Sequence, residues 1–405
     1  MRLARRPPIE IDAAALPPLG MAAETFLQRY WQKHPLLIRN AFPGFVSPIA
    51  PEDLAGLACE EAALARLIRH HRSADRWEVR HGPFAEADFP GLPDHDWTLL
   101  VQDVDKWDAD IAGLLAPFGF LPRWRIDDVM VSFAASGGSV GAHVDQYDVF
   151  LLQAQGRRRW QIDAQSEPPM AFRDDVELKL LRQFAPSHDW VLEPGDMLYL
   201  PPGVPHHGVA LDPCLTFSIG MRAPSAGELA GDHLDDLLAQ TGDALRYQDP
   251  DLAPVNDPFE IDANALERVA AALAALQTRD PERLGDWFGR FITTYRSAGE
   301  PVPAPSLPPR IQLEWRLAQG DRLLRHPWSR TAWQKARRGA RLYCSGLAFP
   351  LPARDAASLA AAATLDGPAY TRLSQAGQDA VHALFAAGHY HLEDGDDPGA
   401  GEPTA

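Results

Sequence analysis

The sequence predicts a mainly β chain with α additions: a barrel or sandwich of short strands, a helical stretch, and a small mixed domain that suits a winged-helix arrangement. Three observations carry this reading. Short apolar segments separated by Gly, Pro and Asp recur from Trp77 to Ile162, the pattern of an all-β barrel or sandwich. After Arg222-Ala223-Pro224, Leu, Ala and acidic residues recur at helical spacing over residues 226–245 and 263–276. Beyond residues 299–309, a linker holding five prolines, short segments of both kinds return.

Taken in order, residues 24–33 read as a helix leading into His34-Pro35-Leu36-Leu37-Ile38-Arg39, whose apolar run reads as a strand. Residues 51–67 read as helical, because Pro51 suits a first turn and Glu52 and Asp53 suit the positive end of the helix dipole. Strands are expected at 77–80, 97–101, 129–133, 147–153 and 157–162, the last two hinged at Gly156. Residues 194–203 read as turn, strand and turn, which delivers His206 to the start of another strand. Residues 247–251 read as a loop, and 283–296 as a helix anchored by Trp287, Phe288 and Phe291. Residues 311–317 and 341–344 are expected to be strands, 356–364 and 374–387 helices, and 389–392 a short strand. The acidic, Gly/Pro-rich end from 393 to 405 reads as a disordered tail. The expected organisation is therefore 1–224, 225–300, 301–392 and 393–405.

At 405 residues two or three domains are expected, and a hydrophobic content of 46% with eleven tryptophans supplies sizeable cores. A formal charge of −17 disfavours general binding to nucleic-acid backbones and favours a basic partner. Cys59, Cys214 and Cys344 form no CxxC pair and no disulfide framework, which fits a reducing cytosol. The basic N-terminus lacks the apolar run of a signal peptide, and no stretch approaches the roughly 20 apolar residues that span a bilayer. The expectation is a soluble, cytoplasmic protein.

The chemistry concentrates in Gly141-Ala142-His143-Val144-Asp145-Gln146-Tyr147-Asp148, answered downstream by Pro194-Gly195-Asp196 and Pro205-His206. On a strand, His143 and Asp145 would face the same side. A third imidazole would complete two histidines and one carboxylate, a set with open positions that suits non-heme Fe(II) and oxygen chemistry. The Gly-rich approach from Ser136 to Gly141 lets backbone come close to such a centre. His206 and His207 compete for the third place; Gly208 shares a face with His206, and the other histidine of the pair is expected to lie in solvent.

The first half as a whole resembles bacterial JmjC-type 2-oxoglutarate oxygenases, and within them the ribosomal-oxygenase group that hydroxylates an arginine of large-subunit ribosomal protein sixteen. The resemblance runs through His81-Gly82-Pro83-Phe84, residues 97–102, residues 124–130, residues 143–150, residues 156–160, residues 193–206 and Gly220-Met221-Arg222-Ala223-Pro224. It implies a JmjC/cupin double-stranded β-helix, followed by a helical dimerisation region and a winged-helix domain. It also implies an enzyme, a 2-oxoglutarate-dependent dioxygenase using Fe(II), 2-oxoglutarate and dioxygen, with His143, Asp145 and His206 as metal ligands. His207 stands where relatives often carry Glu.

Gly156-Arg157-Arg158-Arg159-Trp160 alternates faces, so Arg158 shares a side with Trp160 while Arg157 and Arg159 read as solvated. Guanidinium binds carboxylate bidentately, and the family's basic residue for the far end of 2-oxoglutarate falls on Arg158. Ser132 matches a family residue that hydrogen-bonds that carboxylate, and Thr216 falls where relatives carry Asn near the cosubstrate. Alternation puts Asp128 and Met130 on the same inner face as Ser132. A carboxylate at Asp128 needs a cation, either the substrate guanidinium or an internal partner such as Arg125. Tyr147 resembles the aromatic wall of the family's substrate pocket. The implied partners are a basic ribosomal protein of the large subunit as substrate and a second copy of the chain, with neither a membrane nor nucleic acid as the main ligand. An oxygenase acting on another residue, a metal-holding cupin without turnover, and a winged-helix regulator are the alternatives.

Overall fold

The structure is a computed structural model that describes residues 7–241, 246–250, 252, 261–276, 280–303 and 306–393. The chain divides into two compact units, Met1–Ala223 and Pro224–Ala405. In the first, β1 (Glu10–Asp12), α1 (Ala23–Arg29), β2 (Leu36–Arg39) and α2 (Pro51–Leu57) precede β3 (Ala65–His71), β4 (Arg76–His81) and β5 (Trp97–Val101). Then follow α3 (Ala109–Gly113), β6 (Ile126–Ala134), β7 (Val149–Gln155), β8 (Arg158–Ile162), β9 (His188–Leu192), β10 (Met197–Leu200), β11 (His206–Ala210) and β12 (Cys214–Met221). Nine strands form one sheet in the order β1-β2-β10-β7-β12-β6-β5-β3-β4, and three form a second in the order β11-β8-β9.

Side-chain alternation explains why the central strands are apolar throughout. On β7, Phe150 and Leu152 join Met197, Tyr199, Phe217 and Ile219 in the large core that also takes Phe26, Leu54 and Phe118. The alternate residues Val149 and Leu151 pack with Leu198, Leu200, Trp160, Ile162 and Leu192, so this second core fills the space between the two sheets. A strand buried on both faces reads as a continuous apolar run rather than an alternating one. On β12 the faces split differently: Leu215, Phe217 and Ile219 enter the large core, while Thr216 and Ser218 face the other way, opposite Ser132 and Met130 of β6. That polar inner face positions the site.

The helix expected over 51–67 stops at Leu57, because Ala65 and Leu67 are recruited as inward residues of β3 beside β5.

The second unit contains α4 (Ala226–Thr241), α5 (Ala263–Leu276), α6 (Pro281–Thr294), α7 (Arg310–Gln319) and β13 (Arg322–Arg325). The chain continues through β14 (Thr331–Lys335), β15 (Ala340–Cys344), β16 (Leu347–Leu351), α8 (Ala353–Ala361), β17 (Thr364–Asp366), α9 (Gly367–Thr371), α10 (Gln375–Ala386) and β18 (Tyr390–Glu393). Two small sheets, β17-β13-β18 and β14-β15-β16, and the helices α7 to α10 enclose one apolar core. α6 docks on the second of these sheets: Thr293 Oγ1 accepts from Gly346 N at 3.0 Å, and a Cβ on Gly289 would stand 2.4 Å from the Tyr343 ring.

Residues 311–317, expected to be a strand, form α7 instead. Their apolar residues alternate with period two, but they also fall at i, i+4: Leu313 and Leu317 are buried, while Ile311 and Trp315 are 78% and 62% exposed. Gly320, at φ +112°, ends the helix in the left-handed conformation that favours glycine. Glu393, expected to begin the disordered tail, pairs with Arg322 at the end of β18; residues 394–405 lie outside the described residues, as do 242–245 of the helix expected over 226–245 and residue 251 of the expected loop.

Candidate functional site

The Gly-rich run leaving β6 is shaped by close approach. A Cβ on Gly138 would lie 2.2 Å from Trp97 O, and Gly141, at φ +80°, packs against Leu180 and Trp77. His143 and His206 then exchange backbone hydrogen bonds, each N–H donating to the other's carbonyl at 3.0 Å. Gly203 N donates to Asp145 O at 2.8 Å. These bonds fold the loop onto the start of β11, so His143 and Asp145 converge from a loop with one bridge rather than from the strand that the sequence suggests.

The side chains of His143, Asp145 and His206 each offer one ligand atom, all within 4.8 Å of one another. His206 Nε2 lies 3.5 Å from Asp145 Oδ2, and the two imidazole centroids are 4.2 Å apart. Each ring is oriented from behind: His143 Nδ1 lies 3.0 Å from Gly141 O, and His206 Nδ1 2.9 Å from Val204 O. A carbonyl only accepts, so each Nδ1 carries a hydrogen, which makes Nε2 the atom each ring can offer a metal. Burial pushes the His206 imidazole down to about 4, helped by His143 and opposed by Asp145, so the ring is neutral at pH 7 as a metal ligand requires. The donor set fits a divalent transition metal.

His207 points away from this cluster. Its ring meets Phe184 edge-on at 6.1 Å and is half-buried, not the solvent-exposed turn histidine expected of the unselected partner.

Beside the triad, Ser132 and Thr216 are paired across β6 and β12, and the Arg158 guanidinium reaches both. Nη1 stands 3.5 Å from Ser132 Oγ and 3.4 Å from Thr216 Oγ1; Nη2 stands 3.4 Å from Gly208 O. Arg158 is 3% exposed, its Nε has no partner, and no carboxylate pairs with it among the described residues. Burial lowers its pKa, opposed only by Cys214. A buried unpaired cation costs several kcal/mol, on the order of 3–5 when a partner is missing, and an anion beside Arg158 would offset that cost. By contrast Arg157 pairs with Asp212 at 2.8 Å and Arg159 with Asp189, both near the surface.

Two residues complete the pocket that the sequence did not single out for it. The Trp160 ring lies 5.0 Å from the Arg158 guanidinium and 5.9 Å from the His206 ring. Gln153 Oε1 accepts from Thr216 Oγ1 at 3.1 Å, and Gln153 is fully buried. A glutamine inside the run Val149-Phe150-Leu151-Leu152-Gln153-Ala154 was the available signal. Gly208 is closely enclosed by its neighbours. A Cβ there would stand 2.7 Å from both Arg158 Nε and Trp160 Cη2. Gly208→Ala is therefore expected to cost roughly 1–3 kcal/mol of stability by overpacking and to raise KM for the anionic cosubstrate; thermal melts and cosubstrate titrations check this.

Comparison with known proteins places the chain in a family. Residues 113–229 match the JmjC domain family and residues 273–391 the ROXA-like winged helix. The ribosomal protein uL16 3-hydroxylase of Escherichia coli (strain K12) is 39% identical over 302 residues, covering 74% of this chain and 79% of that protein. The chain belongs to the JmjC-domain ribosomal oxygenases. A probable ribosomal oxygenase of Haemophilus influenzae is 41% identical over 236 residues, 58% of this chain and 56% of that one. Crystal structures of the E. coli ribosomal oxygenase YcfD cover 92% of this chain and 98% of theirs at 34% identity, with a TM-score of 0.83 for one. Two others are complexes of YcfD with cobalt and succinic acid (TM-score 0.80) and with cobalt and 2-oxoglutarate (0.79).

In this ribosomal oxygenase the other expected residues lie at the far end of the same inner face. Asp128 is four residues before Ser132 on β6, about 13 Å along the strand, with Met130 between them and opposite Ser218. Its carboxyl is pushed up to about 7 by burial and by the charges of Asp103, Asp127 and Asp105, although Asp103 N donates to it at 3.0 Å. No cation pairs with Asp128 among the described residues. Arg125, the internal alternative, pairs instead with Asp148 at 3.2 Å; Asp127 pairs with Arg222 and Asp105 with Lys106. Tyr147 follows the metal loop at 39% exposure, its phenol held protonated by desolvation and by the charges of Asp145, Asp128 and Asp127.

Proposed function

We propose that this ribosomal oxygenase is an Fe(II)- and 2-oxoglutarate-dependent dioxygenase that hydroxylates an arginine side chain of a large-subunit ribosomal protein. The observation that carries the reading is a His-Asp-His cluster beside the buried Arg158 guanidinium, with Asp128 on the β6 face that carries Ser132, neither Arg158 nor Asp128 having an ion-pair partner among the described residues. His143, Asp145 and His206 hold the metal. Arg158, Ser132 and Thr216 take the far carboxylate of 2-oxoglutarate, for which a planar guanidinium offers paired donors. Bound iron, with 2-oxoglutarate and dioxygen, supplies the oxidation that places one oxygen atom on a C–H bond, giving succinate and carbon dioxide as co-products. Asp128 pairs with the incoming guanidinium, while Met130 and Tyr147 wall the side-chain channel and keep water from the reacting carbon.

The partners follow from the same reading. A chain of net charge −17 attracts a basic ribosomal protein at long range, and such a substrate is met in the cytoplasm. No helix of the described residues is long and apolar enough to cross a membrane. Dimerisation through the region 225–300 is supported by apolar residues left exposed at helical spacing, Leu234 and Leu238 on α4 and Leu266, Val269 and Leu273 on α5. The domain at 301–392 is read as an architectural or protein-docking element.

Incubating the enzyme with Fe(II), 2-oxoglutarate and candidate ribosomal proteins tests the reaction by mass spectrometry. The expected product gains one oxygen atom on an arginine; methyl groups lost from lysine, or succinate formed without modified protein, contradict it. Arg158→Met probes the cosubstrate end separately. Removing a buried unpaired charge leaves the free enzyme no less stable, whereas the rise in Tm that 2-oxoglutarate gives the metal-loaded wild type is lost.

A further inference from the structure

A second cavity, of about 170 Å³, lies behind the metal loop, and no step of the proposed reaction uses it. One wall is Ser139, Gly141 and Ala142, which lead directly into His143; another is His207 and Val209 on the face of β11 opposite His206. The β3–β4 hairpin contributes His70 and Trp77, stacked at 4.0 Å, and the insertion between β8 and β9 contributes Leu180 and Leu181.

The charges around this cavity are consumed in building it. Arg72 donates to Asp96 at 2.6 Å and to Gly137 O at 2.8 Å, tying the hairpin to the Gly-rich run. Arg173 donates to Asp75 at 2.8 Å and also pairs with Asp175, tying the insertion to the hairpin. Leu181 N donates to Ala142 O at 2.9 Å, tying the insertion to the metal loop. What remains inside is Trp77, Leu180, Leu181 and Val209, with the His70 ring, which faces Asp75 at 3.2 Å, the Ser139 hydroxyl, whose oxygen accepts from Gly141 N at 3.0 Å, and the His207 ring. That ring makes no hydrogen bond or ion pair among the described residues. An interior of this kind suits an uncharged, largely apolar group carrying at most one polar atom, and its size suits one side chain.

We propose that this cavity is a subsite for an uncharged side chain of the protein substrate, one or two positions from the hydroxylated arginine. The assignment rests on the proposed arginine hydroxylation. The occupant is a polypeptide side chain because the cavity shares its wall with the metal loop. A main chain that delivers one side chain to the His143–His206 pair and crosses Gly141-Ala142 brings a neighbour over the opening. The rigid, hydrogen-bonded walls would fix the register of the substrate and so decide which arginine is presented.

The test uses the metal-loaded full chain with peptides spanning the hydroxylated arginine, each flanking residue replaced in turn by alanine. Val209→Phe fills the cavity; Trp77→Leu enlarges it and serves if the first variant does not fold. Either variant is expected to raise KM for the parent peptide about tenfold, the low end of what one mismatched group in an apolar pocket costs. KM for 2-oxoglutarate stays at the wild-type value. One alanine-scanned peptide, and only one, should be used equally well by wild type and variant. A peptide KM changed less than twofold in the folded variants, or the same loss at every flanking position, overturns the subsite. A rise in KM for 2-oxoglutarate of the same size overturns it too, since the wall would then serve the metal loop alone. If the wild type modifies no arginine, the hydroxylation reading itself fails; an active wild type with indifferent variants fails the subsite alone.

Discussion

His143→Ala abolishes product formation while the fold stays intact. The ring is not part of a core cluster, and its backbone exchange with His206 survives the substitution. What goes is one of three donor atoms that meet within 4.8 Å. Outer partners of metal ligands already contribute about 10–100-fold to affinity or activity, so loss of a direct ligand is expected to exceed that range. Metal titration followed by turnover assays checks this, with circular dichroism as the control for folding. Normal turnover by the variant would remove the triad from the reaction.

Asp128→Asn separates the two halves of the reaction. Removing one member of a desolvated charge pair costs roughly 2–5 kcal/mol, about thirtyfold or more in kcat/KM for the arginine substrate. Consumption of 2-oxoglutarate without substrate should change little, because Arg158 and the triad are untouched. Equal loss of both activities would mean that Asp128 supports the fold instead.

The pH dependence has a defined sign. With its carboxyl raised to about 7, Asp128 is ionised in the free enzyme only above that value, so kcat/KM for the cationic substrate rises as pH passes upward through about 7. Stability runs the other way. Between the ordinary value of 3.8 and about 7 the folded chain holds a proton that the unfolded chain has released, so stability falls as pH rises across that window. Asp128→Asn should flatten both profiles, read by kinetics and by thermal melts.

Much of the first unit was legible because most of its central strands carry their own pattern, although β3 begins inside a segment that reads as helical. Asp128, Met130 and Ser132 alternate with Val129 and Val131, which placed them on one face, and the resemblance of Ser132 to a cosubstrate-binding residue marked that face as the inner one. The convergence of His143, Asp145 and His206 was legible through kinship, not spacing. The bridge that brings the loop to β11 is a backbone contact between residues far apart in sequence, and the residue types do not encode it. His206 and His207 could not be separated on the sequence, since each begins a valid alternation. Pairing with β8 decides it by turning His206 and Gly208 toward Arg158 and Trp160. α7 was misread because an apolar period of two is also compatible with buried i, i+4 pairs, and only the core shows which pair it takes. The cavity behind the metal loop had no sequence signature, because its walls come from four separate segments.

A crystal of the enzyme grown without oxygen, with Mn(II) in place of iron and 2-oxoglutarate present, would show directly which residues hold the metal and the cosubstrate. The expected density shows one metal ion bound by His143 Nε2, an Asp145 carboxylate oxygen and His206 Nε2, and the distal carboxylate of 2-oxoglutarate on the Arg158 guanidinium beside Ser132 and Thr216. Metal bound elsewhere, or 2-oxoglutarate held with Arg158 still unpaired, would contradict it.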